Sequence, residues 1–212
     1  MDYRITKIRT KDGQTGTPIT TSLDEVVSRM QSDKNTNEVD QVAKRVTYAL
    51  IDQQEKGWNT YRIEGVDELP YLIFSSTFSR QGVQDFRQAT GLVLLSVDYG
   101  MDLQRMKAVR DMAIQLPQTV LVFRSVSRRR LNIVVRCQPK DGKMPETAVD
   151  YEAFLGDAQQ QAAKYYGAFC DCEIGLKEES LSRGCRMSQD SDLYYNPEAE
   201  ALTIIHKDRS PL

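Results

Sequence analysis

The sequence lacks long apolar runs and carries almost no net charge. No stretch approaches the roughly 18 apolar residues that a membrane span needs, and no basic start followed by an apolar run marks the N-terminus. Lys and Arg number 28 against 30 Asp and Glu, a formal net charge of -2. The chain as a whole therefore does not attract polyanions. We expect a cytoplasmic protein without membrane contact, in which any contact with nucleic acid comes from a local basic cluster.

Cysteine and histidine are also scarce. The four cysteines, Cys137, Cys170, Cys172 and Cys185, form no paired C-x-x-C spacing, which argues against a structural zinc site. We expect Cys170 and Cys172 on a strand with thiols on opposite faces, as packed residues of a reducing compartment. The only histidine, His206, lies near the end of the chain, which leaves little basis for a Ser-His or Cys-His pair.

Glycine-rich phosphate-binding motifs are absent. Neither G-x-x-x-x-G-K-[ST] nor G-x-G-x-x-G after a strand occurs, so the sequence indicates no ATPase of the P-loop type. The 212 residues, 40% hydrophobic and 27% charged, are typical of one globular domain, 1–212. We interpret Trp58 as packing and the Tyr194-Tyr195 pair as a packed turn rather than a base-stacking platform.

The first part of the chain predicts a helical layer over residues 1–68. Ser22-x-x-Glu25 is a capping box before an apolar face, and apolar residues recur at helical spacing from Val39 to Leu50. A strand is predicted at Tyr71–Phe74 as the start of the main sheet, followed by a loop to Thr90.

The pattern of residues 69–200 predicts the core of the domain, and residues 201–212 are predicted to form a tail. The predicted elements are a strand Leu92–Val97, a helix Leu103–Leu116, a strand Val120–Phe123, a strand Leu131–Val135, a helix Asp150–Tyr166 and a fourth strand within 168–174 or 185–188. A six-residue connection joins the second and third strands, which favours an antiparallel hairpin. The fold class is therefore α+β, with a ferredoxin-like, RRM-like βαββαβ core.

This topology places the first and third strands side by side and antiparallel. The end of the first strand, at Asp98, then lies at the same edge as the start of the third, near Arg130 to Asn132. An acid directly after a buried strand is a candidate Mg²⁺ ligand and catalytic residue. A turn or helix-cap role is the alternative for Asp98.

Arginine is concentrated around the predicted hairpin. Five guanidinium groups lie within thirteen residues, interleaved with two serines: Arg124, Ser125, Ser127, Arg128, Arg129, Arg130 and Arg136. Guanidinium and hydroxyl groups donate well to phosphate oxygens, so phosphate is the ligand that this composition favours. A solvated hairpin face is the alternative.

Several motifs in a fixed order resemble the VirE N-terminal domain family. They are Thr17-Pro-Ile-Thr20, Leu69-Pro70, Phe74-Ser-Ser-Thr-Phe78, Thr90-Gly91-Leu92 leading to Asp98, and Ser182-Arg183 leading to Asp192-Leu-Tyr-Tyr-Asn-Pro197. That family is common in Bacteroidetes mobile elements and is grouped with archaeo-eukaryotic primase-like domains. Its members are often fused to a helicase-like ATPase. The resemblance implies a primase-polymerase type of core.

The resemblance also implies site residues. Primase-like domains end the first strand in Asp-x-Asp, whereas this chain has Ser96-Val97-Asp98 and keeps one acid. Their nucleotide-phosphate motif Ser-x-Ser-Gly-x-Gly-x-Lys corresponds here to Ser125-Val-Ser127-Arg128-Arg129-Arg130-Leu-Asn132, with arginines in place of both glycines. Arg183 belongs to the late Ser-Arg motif. The third acid of the metal site is Asp171 or Glu173.

Three functions follow as hypotheses. The first is a primase-like nucleic-acid-binding module of a mobile-element replication or mobilisation system, catalytically degenerate because one acid cannot hold two metal ions. It would bind single-stranded DNA or a nucleotide. The second is an active Mg-dependent nucleotidyl transferase, and the third is an interaction domain that recruits a helicase-like ATPase.

Overall fold

The computed structural model describes residues 2–11, 14–32, 41–42, 66–97, 103–176 and 180–205. Its strands are β1 (Arg4–Ile8), β2 (Thr10–Lys11), β3 (Gln14–Thr15), β4 (Ile19–Ser22), β5 (Tyr71–Ile73), β6 (Ser76–Phe78), β7 (Phe86–Ala89), β8 (Leu92–Val97), β9 (Thr119–Arg124), β10 (Leu131–Pro139), β11 (Cys185–Arg186), β12 (Tyr194–Tyr195) and β13 (Leu202–Ile204). Its helices are α1 (Leu23–Gln31), α2 (Leu103–Ala113) and α3 (Ala148–Phe169), with a 3-10 turn at Val66–Glu68.

Some sequence predictions fall outside these residues. Asp98, Trp58 and His206 belong to the part of the chain that the structure does not describe, as does nearly all of the second predicted helix.

The central sheet has the predicted βαββα order, and the fold is α+β. Strands β8 and β9 flank β10 and are both antiparallel to it, so α2 is the crossover between two parallel strands. Leu131, the first residue of β10, pairs with Val97 on one side and with Arg124 on the other. The end of β8 and the hairpin between β9 and β10 therefore share one edge of the sheet, as predicted.

The fourth strand differs from both predicted segments. Residues 168 and 169 continue α3, and only Ile174 forms an isolated antiparallel bridge with Val97, on the open side of β8. The Cys185–Arg186 pair forms β11 in another sheet, against β5. β12 instead extends the central sheet beyond β9, and β13 runs parallel to the end of β10.

The N-terminal residues form a second sheet, of order β11-β5-β1-β4. The prediction of a helical layer is therefore wrong for residues 4–22, although the helix after Ser22 is confirmed as α1. Tyr71–Ile73 is a strand as predicted, but it pairs with β1 rather than with the central sheet. The predicted loop before Thr90 contains the β6–β7 hairpin.

The central sheet is buried on both faces, and its alternating residues enter two different cores. Leu95, Leu131 and Ile133 face α2 and α3 in one cluster. Leu94, Phe123 and Val134 face the second sheet and α1 in the other. Because both faces are apolar, these strands have the continuous hydrophobic runs from which they were predicted.

Helix ends follow local side-chain chemistry. Ser22 caps α1 by accepting from Asp24 N, while the Glu25 carboxylate accepts from Thr21 Oγ1 at 2.7 Å instead of closing the predicted capping box. Cys170 is the C-cap of α3, so the prediction of Cys170 and Cys172 on a strand is wrong. Within the described residues, no helix combines the length and the apolar character that crossing a membrane requires.

Candidate nucleic-acid interface

The hairpin between β9 and β10 spans Ser125 to Arg130. Ser125 N donates to Arg130 O at 2.8 Å, and Arg128 N donates to Ser125 O at 2.8 Å, so the loop is a compact turn. Arg128 has φ = 56°, in the left-handed region that glycine adopts freely and other residues rarely occupy. At one of the two positions where the resemblance implies glycine, the chain thus keeps a glycine-like backbone with an arginine side chain.

The two serines of the turn face each other. Ser125 Oγ and Ser127 Oγ are hydrogen-bonded to each other at 3.1 Å, and Arg129 N donates to Ser127 Oγ at 3.4 Å. Both serine side chains are partly exposed. The bond between the two serines uses one of their hydroxyl hydrogens, so the other hydroxyl hydrogen of the pair remains to be donated to an anion.

The five arginines differ in their surroundings. Arg124 forms an ion pair with Asp190, and Arg136 Nη1 donates to Ala199 O at 2.8 Å. Both guanidinium groups therefore bind partners within the fold. Arg128 Nη2 donates to Gln189 Oε1 at 3.0 Å. The Arg129 guanidinium forms no hydrogen bond or ion pair with any described residue. Arg128, Arg129 and Arg130 are the three arginines of the turn that were predicted to bind phosphate, and that role stays a prediction.

Arg130 faces β11. Burial raises the pKa of the Cys185 thiol to about 12, and the positive charge of Arg130 opposes that shift. Arg183 lies in the loop before β11, where Arg183 N donates to Ser180 O at 3.0 Å. Burial likewise raises the pKa of Tyr71, and the charge of Arg183 is among those that oppose it. The charges of Arg130 and Arg183 thus act on residues of the β5–β11 pair from two different loops.

Asn132 has a structural partner. Its side chain is 2% exposed, and Oδ1 accepts from Ser96 Oγ at 2.9 Å across the β8–β10 pair. This places Ser96 and Asn132 on the sheet face opposite the two large helices, next to the hairpin. A direct part for Asn132 in phosphate binding stays a prediction.

The candidate acids are Asp98, Asp171 and Glu173. Asp98 is outside the described residues. Asp171, exposed and with φ = 47°, follows α3, and its carbonyl accepts from Arg105 Nη2 at 2.8 Å. Glu173 is exposed and precedes Ile174, which bridges to Val97. Among the described residues no group of three acidic, cysteine or histidine side chains is placed to hold a metal ion.

One protein-family model matches the chain. The model described as "BT4734-like, N-terminal domain" matches residues 65–195, more than half of the chain. The chain belongs to this family. The matched range of the BT4734-like domain includes the whole central sheet up to β12, the hairpin and the Arg183 loop. No curated protein and no solved structure matches the chain.

The segment Ser188 to Asp190 of the BT4734-like domain was not predicted as part of the site. Its three side chains are buried. Ser188 and Asp190 contact Arg124, and Gln189 contacts Arg128. The only sequence signal is a polar run, Ser188-Gln-Asp-Ser-Asp192, which reads as an exposed loop. Its burial depends on a strand that is more than sixty residues earlier in the chain.

Proposed function

We propose that this BT4734-like domain is a cytoplasmic, primase-like nucleic-acid-binding module of a mobile-element replication or mobilisation system. It binds the phosphates of single-stranded DNA, or of a nucleotide, at the hairpin Ser125–Arg130. The observation that carries the proposal is the left-handed backbone of Arg128 beside the facing hydroxyls of Ser125 and Ser127.

The backbone of Arg128 supports a functional role because it has an energetic cost. A non-glycine residue in the left-handed region is less stable by about 1 kcal/mol, and such positions cluster at binding and active sites. A turn selected for stability alone would place glycine there. An arginine in its place supplies a cation beside the two serine hydroxyls, which suits an anionic ligand.

Electrostatics set the expected affinity. The turn carries three consecutive arginines, Arg128 to Arg130, although the chain as a whole has a formal net charge of -2. Binding that rests on phosphate contacts has a Kd of about 10⁻⁴ to 10⁻⁶ M at physiological salt and weakens steeply as salt rises. For single strands, each neutralised phosphate contributes about 0.7 to the slope of log affinity against log salt.

The test is a titration of a fluorescent oligothymidylate at about 50 mM and about 200 mM salt. Replacing Arg128, Arg129 and Arg130 with Ala should lower affinity at least about tenfold and reduce the slope by about 2. The control replaces Lys140, Lys143 and Lys164 with Ala, the same change of charge at three exposed positions outside the hairpin. The proposal fails if both triple variants lose affinity equally, or if neither does.

An active Mg-dependent nucleotidyl transferase is the second candidate. The bridge of Ile174 to Val97 brings Glu173 to the end of the strand that precedes Asp98, which favours Glu173 over Asp171 as a further metal ligand. Primer synthesis with Mg²⁺ or Mn²⁺ by the native chain, abolished by Asp98→Ala and by Glu173→Gln, would establish this function. Absence of synthesis alongside salt-dependent binding supports the first proposal.

The third hypothesis, a domain that recruits a helicase-like ATPase, predicts a different result for oligonucleotide binding. It requires no phosphate contact, so the native chain would not bind the oligonucleotide even at about 50 mM salt. That single measurement separates it from the other two.

A further inference from the structure

Two of the four cysteines lie on either side of one residue at the C-terminal end of α3. Cys170 N donates to Tyr166 O at 2.8 Å, and Cys172 N donates to Gly167 O at 3.0 Å. Both bonds return to the last turn of the helix, so Cys170, Asp171 and Cys172 form a tight turn. These backbone bonds fix the positions of both cysteines relative to α3.

The residue between the cysteines shortens the distance between them. Asp171 has φ = 47°, in the left-handed region, where the chain turns as tightly as in an α-helix but with the opposite hand. Cα atoms two residues apart are then about 5.4 Å from each other, as in helix geometry, against about 6.6 Å along a strand. A disulfide usually joins residues whose Cα atoms are about 5.5 to 6 Å apart. The turn therefore holds the two cysteines at a spacing that suits a disulfide.

Both thiols face the same core. Cys170 is 1% exposed and belongs to the cluster between the central sheet and the two large helices, and Cys172, which is partly exposed, packs against that cluster. Burial raises the pKa of Cys170 to about 11, and the charge of the Cys172 thiolate adds to that shift. The two thiols are therefore neighbours on one side of the turn, whereas the sequence predicted them on opposite faces.

We propose that Cys170 and Cys172 are a redox-sensitive dithiol that closes to a disulfide by exchange with a small-molecule disulfide such as oxidised glutathione. This proposal goes beyond the proposed function and does not depend on it. In a reducing compartment the bond is transient, which is the usual behaviour of cytosolic disulfides that sense redox state.

The exchange has two steps, and the exposure of the two thiols sets their order. Cys172, as a thiolate, attacks one sulfur of oxidised glutathione, forms a mixed disulfide and releases one glutathione thiolate. Cys170, as a thiolate, then attacks Cys172 Sγ and releases the second glutathione. Two cysteine thiols are oxidised to one disulfide, one glutathione disulfide is reduced to two thiols, and the two cysteine protons pass to glutathione.

The position of the pair connects its oxidation to the rest of the fold. Asp171 O accepts from Arg105 Nη2 at 2.8 Å, near the start of α2, and Ile174 forms the bridge to Val97 at the end of β8. The turn therefore joins both large helices to one edge of the central sheet. A disulfide across Asp171 closes a ring around the residue that makes the contact with α2.

The test is to incubate the native chain with oxidised glutathione, remove the reagent, block the remaining thiols with N-ethylmaleimide in urea and digest with trypsin. The tryptic peptide that begins at Tyr165 contains Cys170 and Cys172 and neither of the other cysteines. It should lose two hydrogen atoms and take up no N-ethylmaleimide, and dithiothreitol should reverse the change. Cys137 and Cys185 should remain free thiols. Because burial raises the pKa of Cys170 and Cys172, the exchange should take minutes to hours at neutral pH.

Single variants test the order of the two steps. Cys170→Ala lacks the second thiol, so Cys172 should stop at the mixed disulfide and carry one glutathionyl group. In Cys172→Ala, Cys170 should stay a free thiol because it is buried. The control is Cys185→Ala, which removes another partly exposed thiol, from the second sheet, and should leave formation of the disulfide unchanged.

The measurement on the native chain decides the proposal even where a variant does not fold. The proposal is overturned if the folded chain keeps all four thiols free while the same reagent oxidises the chain in urea. A bond from Cys170 to Cys137, which would join two tryptic peptides, overturns it as well. So does a native chain in which Cys172 keeps a glutathionyl group, since Cys170 would then be out of reach.

Discussion

Asp190 holds Arg124 at two points: Oδ2 accepts from Arg124 N at 2.8 Å, and Oδ1 accepts from Nε at 3.0 Å. The Asp190 side chain is 4% exposed and the Arg124 side chain 28%. One buried carboxylate therefore satisfies a strand-end amide and a partly buried cation. The same carboxylate connects the segment Met187 to Asp190 to the central sheet.

We expect Asp190→Ala to destabilise the fold by about 3 kcal/mol, because it leaves the Arg124 guanidinium and amide without their acceptor. Urea denaturation measures the change. Asp192 also contacts Arg124, at 3.3 Å, but its side chain is 77% exposed, so Asp192→Ala should cost less than about 0.5 kcal/mol. Equal effects of the two substitutions would contradict the structural assignment of Asp190.

Arg128→Gly should separate stability from binding. Arg128→Gly and Arg128→Ala both lose the hydrogen bond to Gln189, but only glycine adopts φ = 56° without strain, so Arg128→Gly should be more stable than Arg128→Ala by about 1 kcal/mol. Its affinity for oligothymidylate should nonetheless fall, since the guanidinium is lost. Thermal melting measures the stability, and an anisotropy titration on the same preparation measures the affinity. A fall in stability together with unchanged affinity would count against the site.

Gly184 allows the closest approach in the Arg183 loop. A Cβ built there would lie 1.8 Å from Leu72 O, and Gly184 N donates to Tyr71 OH at 2.8 Å. We expect Gly184→Ala to displace the loop from β5 and to cost more than about 2 kcal/mol in urea denaturation. The control is Gly156→Ala in α3, where a Cβ meets nothing within 4 Å and should add about 0.5 to 1 kcal/mol of stability.

Tyr151 predicts an alkaline limit to stability. Its hydroxyl donates to Ser75 O at 2.6 Å and accepts from Gly91 N at 3.1 Å, and burial raises its pKa to about 12. Because the folded pKa exceeds the unfolded value of about 10, its contribution is complete below pH 10 and is lost between about pH 10 and 12. Denaturation midpoints across this range should fall.

Tyr151→Phe is the control for this alkaline loss. It should be less stable at neutral pH, because the carbonyl of Ser75 and the amide of Gly91 lose a partner, but its midpoint should decline less between pH 10 and 12. A decline as steep as that of the native chain would assign the alkaline effect to other groups.

The central sheet was predictable because its signals are local. Leu92 to Val97 is a continuous apolar run, and six residues between β9 and β10 leave little room for anything but a hairpin. The β1 strand, Arg4-Ile-Thr-Lys-Ile8, has no such signal. Its Lys7 is buried beside Glu25, and it pairs on one side with β4 and on the other with β5, which begins more than sixty residues later, so its structure depends in part on long-range pairing.

The edge that the end of β8 shares with the β9–β10 hairpin was predictable, but the side-chain contacts around it were not. The turn composition indicated Ser125 to Arg130, and the topology indicated the shared edge with the end of β8. No local pattern could show that Asp190, 66 residues away, would accept hydrogen bonds from Arg124. The burial of Asn132 against Ser96 could not be predicted either, because the exposure of a strand residue depends on what covers each face of the sheet.

The hydrogen bond between Ser96 and Asn132 bears on how β8 and β10 find their alignment. A shift of one strand by a single residue moves its side chains to the opposite face of the sheet. Because both faces of this sheet are apolar, hydrophobicity alone selects the register weakly. A slip would carry the Asn132 amide into the helix-side core without its hydroxyl partner, at a cost of about 1 to 3 kcal/mol. One polar cross-link thus supplies the alignment information that the surrounding aliphatic residues do not carry.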